Sequence, residues 1–184
     1  DGTDIREFAP DAWRASFGAL FQDFARYQMT AGENVRMGDV AIPPGDPRIA
    51  EAARRAGAAR LIEQLSDGYE TPLGRLYEGG AELSEGQWQR IALARAFVRS
   101  APIVVLDEPT AALDSKAERE LLESVMDFFA DKTAIVVSHR FSTVQAADRI
   151  LVLAEGRIAE SGTHKQLVQA NGVYAGLFAL NSKS

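Results

Sequence analysis

Two continuous apolar runs in the second half of the chain constrain its fold more than any other feature. Residues 103–106 are Ile-Val-Val-Leu and residues 134–137 are Ala-Ile-Val-Val. Strands of a parallel sheet that is covered on both faces have this composition. Residues 117–130, between the runs, predict a helix, and a strand–helix–strand unit joins parallel strands by a right-handed crossover. The chain is therefore predicted to have an α/β fold, a parallel sheet with flanking helices.

The first hundred residues predict one more strand and several helices. Residues 17–22 form a short apolar segment that predicts a buried strand running into a loop. Asp46 followed by Pro47 is typical of a helix start. Residues 48–65 have helical spacing interrupted by Gly57, which predicts two short helices. Residues 69–82 are rich in glycine and predict a loop.

Local start and turn patterns place the remaining elements. Ser84 and Gln87 suit a capping box that opens a helix over residues 84–99, and Thr163 and Gln166 suit another near the C-terminus. Residues 149–153 and 157–159 flank Ala-Glu-Gly and predict a hairpin. The predicted organisation is an α/β core, residues 1–23 and 101–184, into which a helical subdomain of residues 24–100 is inserted.

Composition excludes several classes of protein. The chain has 184 residues, which suits one globular domain, and its lack of cysteine excludes a disulfide framework and thiolate metal sites. The net charge of -6 argues against a nucleic-acid partner, because such proteins carry a basic surplus. No apolar run approaches the roughly 20 residues that span a bilayer.

The turn Leu83-Ser84-Glu85-Gly86-Gln87 is a candidate anion site. It opens a helix, whose unbonded N–H groups and positive dipole end favour a negative ligand. Ser84 adds a hydroxyl, and Gly86 allows close backbone approach. In isolation, the same pattern is also that of an ordinary N-capped helix.

Asp107 and Glu108 are candidate catalytic residues at the end of the first apolar run. In α/β folds, ligands bind at the carboxyl ends of the strands. One carboxylate there can hold Mg²⁺ through water, and its neighbour can orient or deprotonate a nucleophilic water. The alternative is a strand that ends in two solvated acids.

Taken together, Leu83–Gln87 and the later segment Ile-Val-Val-Leu-Asp-Glu-Pro-Thr closely resemble the signature and Walker B motifs of the ATP-binding cassette (ABC) family. The resemblance extends over essentially the whole chain and places five motifs in family order. It implies a RecA-like P-loop NTPase core with an inserted helical subdomain that carries the signature. It also implies ATP and Mg²⁺ as ligands.

The resemblance assigns a role to each candidate residue. Asp107 serves Mg²⁺, Glu108 is the general base, and residues 84–87 cap the γ-phosphate of ATP held by an opposite protomer. Gln22 resembles the Q-loop glutamine, which reaches Mg²⁺ and the water. His139 resembles the switch histidine at the γ-phosphate, or makes only a local hydrogen bond. Asp114 resembles the D-loop residue at the dimer interface, and it also suits a helix N-cap.

The chain departs from the family pattern at two points that bear on the site, and its loop over residues 71–82 is longer than the common exporter form. The family most often has glycine where this chain has Glu85, and this acid has no obvious partner in the sequence. The phosphate-binding pattern Gly-x-x-x-x-Gly-Lys-Ser/Thr does not occur, since no lysine follows a glycine. We therefore expect a truncated nucleotide-binding domain whose first strand and P-loop are absent and which is inactive alone. The P-loop strand is expected beside the strand of Asp107.

Residues 160–164 and 172–175 resemble exporters in which the cassette is fused to a membrane domain. This implies transmembrane domains fused upstream, a second nucleotide-binding domain in a head-to-tail dimer, and a place at the cytoplasmic face of the membrane. Two alternatives stay open. One is a DNA-repair or chromosome-maintenance ATPase, which the lack of long heptad segments and the negative charge oppose. The other is a noncatalytic fragment that completes a partner's site.

Overall fold

A computed structural model describes residues 2–76, 79–110 and 131–181, together with Arg119, Leu121, Val125 and Phe128. The chain divides into two compact units, Asp1–Val137 and Ser138–Ser184. Within the described part of the chain, no helix combines the length and the apolar character that crossing a bilayer requires. The proposed division into an α/β core and a helical insertion stays a prediction.

The first unit contains a parallel three-stranded sheet, which confirms the α/β prediction. Its strands are β1 (Phe17–Leu20), β2 (Ile103–Asp107) and β3 (Thr133–Val137), in the order β1-β2-β3. Phe17 of β1 lies beside Ile103, and Ile103 lies beside Thr133 of β3. The carboxyl ends of all three strands therefore lie at one edge of the sheet.

Two expectations about this sheet are wrong. A strand has only two edges, and both edges of β2 are occupied, by β1 and β3, so no P-loop strand can lie beside the strand of Asp107. The second error concerns burial, since all five residues of β3 are exposed although its composition predicted two covered faces. Among the described strands β3 pairs only with β2, so it forms an edge of the sheet.

Five helices of the first unit have described bounds, and the sequence predicted the last three of them but not the first two. The five are α1 (Pro10–Ala15), α2 (Ala31–Arg36), α3 (Pro47–Arg55), α4 (Ala59–Glu63) and α5 (Glu85–Val98), with 3₁₀ turns at Ile5–Glu7 and Gly68–Glu70. Asp46 caps α3 by accepting a hydrogen bond from Arg48 N at 2.9 Å. Gly57 separates α3 from α4 with a φ of 65°, a conformation that favours glycine. Of the helix predicted over residues 117–130, the four described residues are helical and the others lie outside the described residues.

Helix α5 is the centre of the first unit. Most of its side chains are buried, including Trp88, Ile91, Leu93 and Phe97. They belong to two apolar clusters, one against β1 and β2 and the other against α3, α4 and the loop before α5. Each fully buried side chain of this size stabilises the fold by about 1.5–3 kcal/mol. The position of the start of α5 is therefore fixed relative to the sheet.

The second unit is a hairpin packed against helices. Its elements are α6 (Phe141–Gln145), β4 (Ile150–Ala154), β5 (Arg157–Gly162), α7 (His164–Ala170) and α8 (Val173–Asn181). The hairpin prediction is confirmed: β4 and β5 are antiparallel, and Glu155 and Gly156 both have positive φ, as a tight hairpin turn requires. The capping box of Thr163 and Gln166 at the start of α7 is also confirmed.

Candidate functional site

The turn after β2 holds Glu108 in an uncommon backbone conformation. Asp107 is the last residue of β2 and is half-buried, and Glu108 follows with a φ of 50°. Left-handed backbone is rare for residues other than glycine. Two hydrogen bonds fix it: Glu108 N donates to Val137 O at 2.9 Å, and Gln89 Nε2 donates to Glu108 O at 2.9 Å. The direction of the Glu108 side chain is thus set by β3 and α5.

Gln89 is a residue that the sequence analysis missed. It lies on α5, is only 5% exposed, and joins the helix to the turn that carries Glu108. Its helical neighbours at spacings of three and seven, Ala92 and Ala96, are buried apolar residues. A polar residue on an apolar helix face needs a hydrogen-bond partner, and this was the signal available in the sequence.

The start of α5 has the predicted capping box and two further donors. Ser84 Oγ accepts from Gln87 N at 3.4 Å, and Gln87 Oε1 accepts from Ser84 N at 2.8 Å. Among the described residues, no acceptor is found for the N–H groups of Glu85 and Gly86. Ser84 and Glu85 are exposed and Gly86 is half-buried. The positive end of the helix therefore presents two backbone donors beside a hydroxyl.

The expectation that Glu85 lacks a partner is wrong. Arg26 Nη2 lies 2.8 Å from Glu85 Oε2. Arg26 belongs to the segment between β1 and α2, far from Glu85 in the sequence, and only the folded chain brings the two charges together. The carboxylate is thus paired at the position where the family most often has glycine.

The segment that carries Gln22 is anchored by a half-buried arginine. Gln22 itself is exposed in the turn after β1. Further along, Arg95 of α5 donates to Ala25 O at 2.6 Å, to Asn34 O at 2.9 Å and to Asn34 Oδ1 at 2.7 Å, and its guanidinium lies 4.6 Å from the centre of the Tyr27 ring. Burial lowers the pKa of Arg95 to about 10, so it remains a cation at neutral pH. A cleft of about 370 Å³ lies between this segment, β1 and α5.

The other two candidate residues lie outside the described part of the first unit. His139 lies in the second unit, in an exposed bend between β3 and α6. Asp114 lies outside the described residues. Among the described residues, the first unit therefore contains Gln22, residues 84–87, and the pair of Asp107 and Glu108.

The residues present suit both Mg²⁺ and a nucleotide phosphate. Mg²⁺ is commonly bound by one or two carboxylates and completed by water and substrate phosphates, and Asp107 at the end of β2 supplies such an oxygen donor. In the described part of the chain there is no group of three or more His, Asp or Glu that could hold a metal by itself. The N–H groups at the start of α5 suit phosphate oxygens.

Comparison with known proteins identifies the family. The ABC transporter family profile matches residues 1–111. The chain belongs to the ABC transporter family. Its fold is that of an ABC exporter's nucleotide-binding domain: it matches a solved structure described as a bacterial Atm1-family ABC exporter with ATP bound, with a TM-score of 0.89 and 35% identity. That match covers 98% of this chain and 31% of the exporter chain.

Curated relatives include lipid A-core flippases. The chain is 42% identical over 180 residues to the ATP-dependent lipid A-core flippase of Albidiferax ferrireducens, covering 98% of this chain and 30% of the flippase. It is 40% identical over 177 residues to the flippase of the same name in Alkalilimnicola ehrlichii, covering 96% and 29%. The chain thus spans less than a third of the length of these relatives.

Proposed function

We propose that this chain is the ATP-binding part of an exporter in which ATP binding and hydrolysis drive transport across a membrane. One observation carries the proposal: the bond from Gln89 to Glu108 O fixes the donor-presenting start of α5 relative to the two carboxylates that end β2. An anion site and a metal-binding and general-base pair are the parts that phosphoryl transfer requires, and this bond holds in a fixed relation the parts that one chain would contribute to two nucleotide sites. The relatives support the direction of transport and the use of ATP.

The carboxylates divide the work at the end of β2. Asp107 would hold Mg²⁺, which neutralises charge on the phosphate oxygens when it is bound. Glu108 orients the attacking water and accepts its proton. Gln22, in the turn after β1, contacts the same water and metal. These assignments follow from the order of the motifs and from the position of each residue at the carboxyl edge of the sheet.

The start of α5 acts on a nucleotide held by a second protomer. Ser84 Oγ and the N–H groups of Glu85 and Gly86 would donate to the γ-phosphate, while Gln87 keeps the cap closed. His139 is assigned a γ-phosphate contact, and Asp114 a place at the dimer interface, from their order in the sequence. The partner is therefore a second nucleotide-binding domain arranged head to tail. Membrane-spanning domains, fused in the same polypeptide, would place the chain at the cytoplasmic face of the membrane.

The 184-residue chain by itself is proposed not to hydrolyse ATP. It contains no Gly-x-x-x-x-Gly-Lys-Ser/Thr pattern, so neither a P-loop lysine nor its cradle of amides is available for the β- and γ-phosphates. Phosphoryl-transfer catalysis consists almost entirely of positioning the reacting groups and stabilising their charge. Without the P-loop cradle the phosphates are not positioned, so ATP hydrolysis should not be accelerated. In that state the chain can act only as a half-site that completes a partner's site.

The decisive experiment measures Mg²⁺-dependent ATP turnover by the full-length protein and by the 184-residue chain. In the full-length protein, Glu108→Gln should reduce kcat by about 10²–10⁴-fold, because a general base is lost. Glu63→Gln, a change of an exposed carboxylate on α4, is the matched control and should leave the rate unchanged. Turnover that survives Glu108→Gln, or that the 184-residue chain performs alone, would contradict the proposal.

The transported substrate needs a separate test. The relatives are named for lipid A-core, so movement of this lipid between the leaflets of reconstituted vesicles is the first assay. ATP-dependent movement that Glu108→Gln abolishes would extend the proposal to this cargo. Turnover of ATP without movement would separate the ATPase from this particular lipid.

A further inference from the structure

The ion pair between Arg26 and Glu85 lies at the start of α5, next to the proposed phosphate contact. Arg26 Nη2 is 2.8 Å from Glu85 Oε2, and Glu85 is the first residue of the helix that Ser84 caps. Arg26 lies in the same segment as Gln22, between β1 and α2. The pair therefore joins the segment of Gln22, which is proposed to act at the chain's own carboxylates, to the start of α5, which is proposed to contact the nucleotide of a second protomer.

Stabilisation of the fold does not account for this pair. The side chains of Arg26 and Glu85 are 47% and 63% exposed, and exposed ion pairs contribute little to stability. The segment of Arg26 has two other anchors. Arg95 donates to Ala25 O at 2.6 Å, and Phe24 packs against both apolar clusters.

Charge at the start of α5 does account for it. The helix end carries a partial positive charge, and the N–H groups of Glu85 and Gly86 have no acceptor among the described residues. The carboxylate of Glu85 adds a full negative charge at the same place, which would repel a polyphosphate. The guanidinium of Arg26 balances that charge and holds the carboxylate to one side of the donors.

We propose that Arg26 is a positioning residue for nucleoside triphosphate: by engaging Glu85, it preserves the attraction of the start of α5 for the phosphates. The inference rests on the proposed function, since it needs a nucleotide at the start of α5. The inference concerns the net charge at the start of α5, which Arg26 keeps from becoming negative. Arg26 acts through Glu85 and makes no contact with the nucleotide itself.

The test uses the full-length protein and two readouts. One is equilibrium binding of a non-hydrolysable ATP analogue with Mg²⁺, and the other is the steady-state KM and kcat for ATP. Arg26→Gln should raise the Kd and the KM about three- to tenfold, as expected for one screened charge near a polyphosphate, and should leave kcat within about twofold. The effect should shrink at high salt, where the exposed charge is screened.

Three further variants isolate the charge of Glu85. Arg54→Gln removes an exposed arginine from a different ion pair, with Glu51 on α3, and should change neither constant. Arg26→Lys keeps the charge and should bind like the wild type. Arg26→Gln combined with Glu85→Gln removes both charges and should return Kd and KM to near wild-type values, a rescue that a purely structural role of Arg26 would not give.

Each outcome decides between the two proposals. If the wild-type protein binds the analogue and turns over ATP, but Arg26→Gln behaves like Arg54→Gln, the inference about Arg26 is wrong and the proposed function stands. A double variant as weak as Arg26→Gln alone would likewise overturn the charge argument. If the wild-type protein neither binds the analogue nor hydrolyses ATP, both the proposed function and this inference fail.

Discussion

Glu108 shows how single residues around a site determine the direction of a side chain that is proposed to be catalytic. Its left-handed backbone, with a φ of 50°, is a conformation that costs about 1–3 kcal/mol and persists only when neighbours enforce it. Val137 O and Gln89 Nε2 supply the two hydrogen bonds that do so. The backbone therefore turns away from the direction of β2 at Glu108, whereas an extended residue at this position would have continued the strand.

Gln89→Leu should reduce turnover more than nucleotide binding. The substitution removes the hydrogen bond to Glu108 O, while the remaining bond to Val137 O leaves the turn less constrained. A base displaced by a fraction of an ångström can lower kcat about tenfold to hundredfold, and KM should stay within about twofold. Steady-state kinetics of the full-length protein measure both. The matched control is Gln64→Leu at an exposed position, and equal kinetics for the two variants would contradict the role of Gln89.

Arg95→Lys should destabilise the chain. Arg95 satisfies Ala25 O, Asn34 O and Asn34 Oδ1 with three nitrogens of one planar group, and a lysine ammonium cannot reach all three. Asn34 is fully buried, so leaving its two acceptors unsatisfied reduces the free energy of unfolding by about 2–4 kcal/mol. Urea denaturation measures the change, with Arg60→Lys at an exposed position of α4 as the control. A loss no larger than that of the control would show that water replaces the guanidinium.

At the residue scale, the sequence predicted contacts that are local and missed those that are not. The capping box of Ser84 and Gln87 could be predicted because helix geometry alone brings residues three apart together. The partners of Glu85 and Glu108 could not, because Arg26 and Gln89 reach them only after α5 has packed on the sheet. The spacing of the motifs was enough to single out Asp107 and Glu108 as candidates, but it did not predict which side chains surround them.

Among the elements, α3 has an N-terminal cap whose contribution to stability should depend on pH. Arg48 donates to Asp46 from both its side chain and its backbone, and these bonds lower the pKa of Asp46 below its ordinary value of 3.8. A carboxyl group with a lowered folded pKa stabilises the fold above its unfolded pKa, and this contribution is lost as the pH falls through the folded pKa.

Asp46→Asn should therefore make the free energy of unfolding less dependent on pH in the acid range. The amide oxygen keeps an acceptor for Arg48 N but cannot titrate. Wild type and variant should differ above pH of about 4 and converge as the pH falls well below 3.8. The measurement is the free energy of unfolding as a function of pH. Parallel curves through this window would show that the Asp46 charge does not stabilise α3.

The exposure of β3 could not be predicted from its composition. Ala-Ile-Val-Val in β3 is as apolar as Val-Val-Leu in β2, yet Val104 and Leu106 of β2 are fully buried whereas Ile135 and Val137 of β3 are 51% and 53% exposed. The difference lies in what surrounds each strand, since β2 has a neighbour on both sides and β3, among the described strands, on one. The position of a strand in its sheet is a tertiary property that a single run does not encode.

Ile135→Lys should reduce self-association of the 184-residue chain. An exposed apolar edge strand recruits other strands, and a lysine on such an edge opposes this pairing. Sedimentation at increasing protein concentration should show oligomers for the wild type and a shift toward monomer for the variant. Leu76→Lys, at a loop position that is 73% exposed, adds the same charge away from the edge and should not change the distribution. A monomeric wild-type chain would contradict the prediction.

At the scale of the whole molecule, the fold class was predictable and the sheet arrangement was not. Apolar runs separated by a helical segment imply parallel strands, and the sheet of β1, β2 and β3 confirms this. The strand order depends on how the crossovers pack, so the expectation of a P-loop strand beside β2 was wrong. The motifs, because their order along the chain is independent of packing, still identified the family correctly.

The last prediction concerns the assembly: Ser84 acts on the nucleotide of the partner protomer. At the start of α5, Ser84 and Glu85 are exposed on the first unit and Gly86 is half-buried, which leaves this helix end accessible as a contact in trans requires. Ser84→Arg adds bulk and removes a hydroxyl, and loss of such an electrostatic contact raises the barrier by about 3–4 kcal/mol. In reconstituted mixtures, full-length protein with Ser84→Arg but an intact P-loop should regain one working site when paired with a P-loop-deficient protomer that carries Ser84. ATP turnover against mixing ratio should therefore pass through a maximum, whereas a signature that served its own protomer would give mixtures no more active than either variant alone.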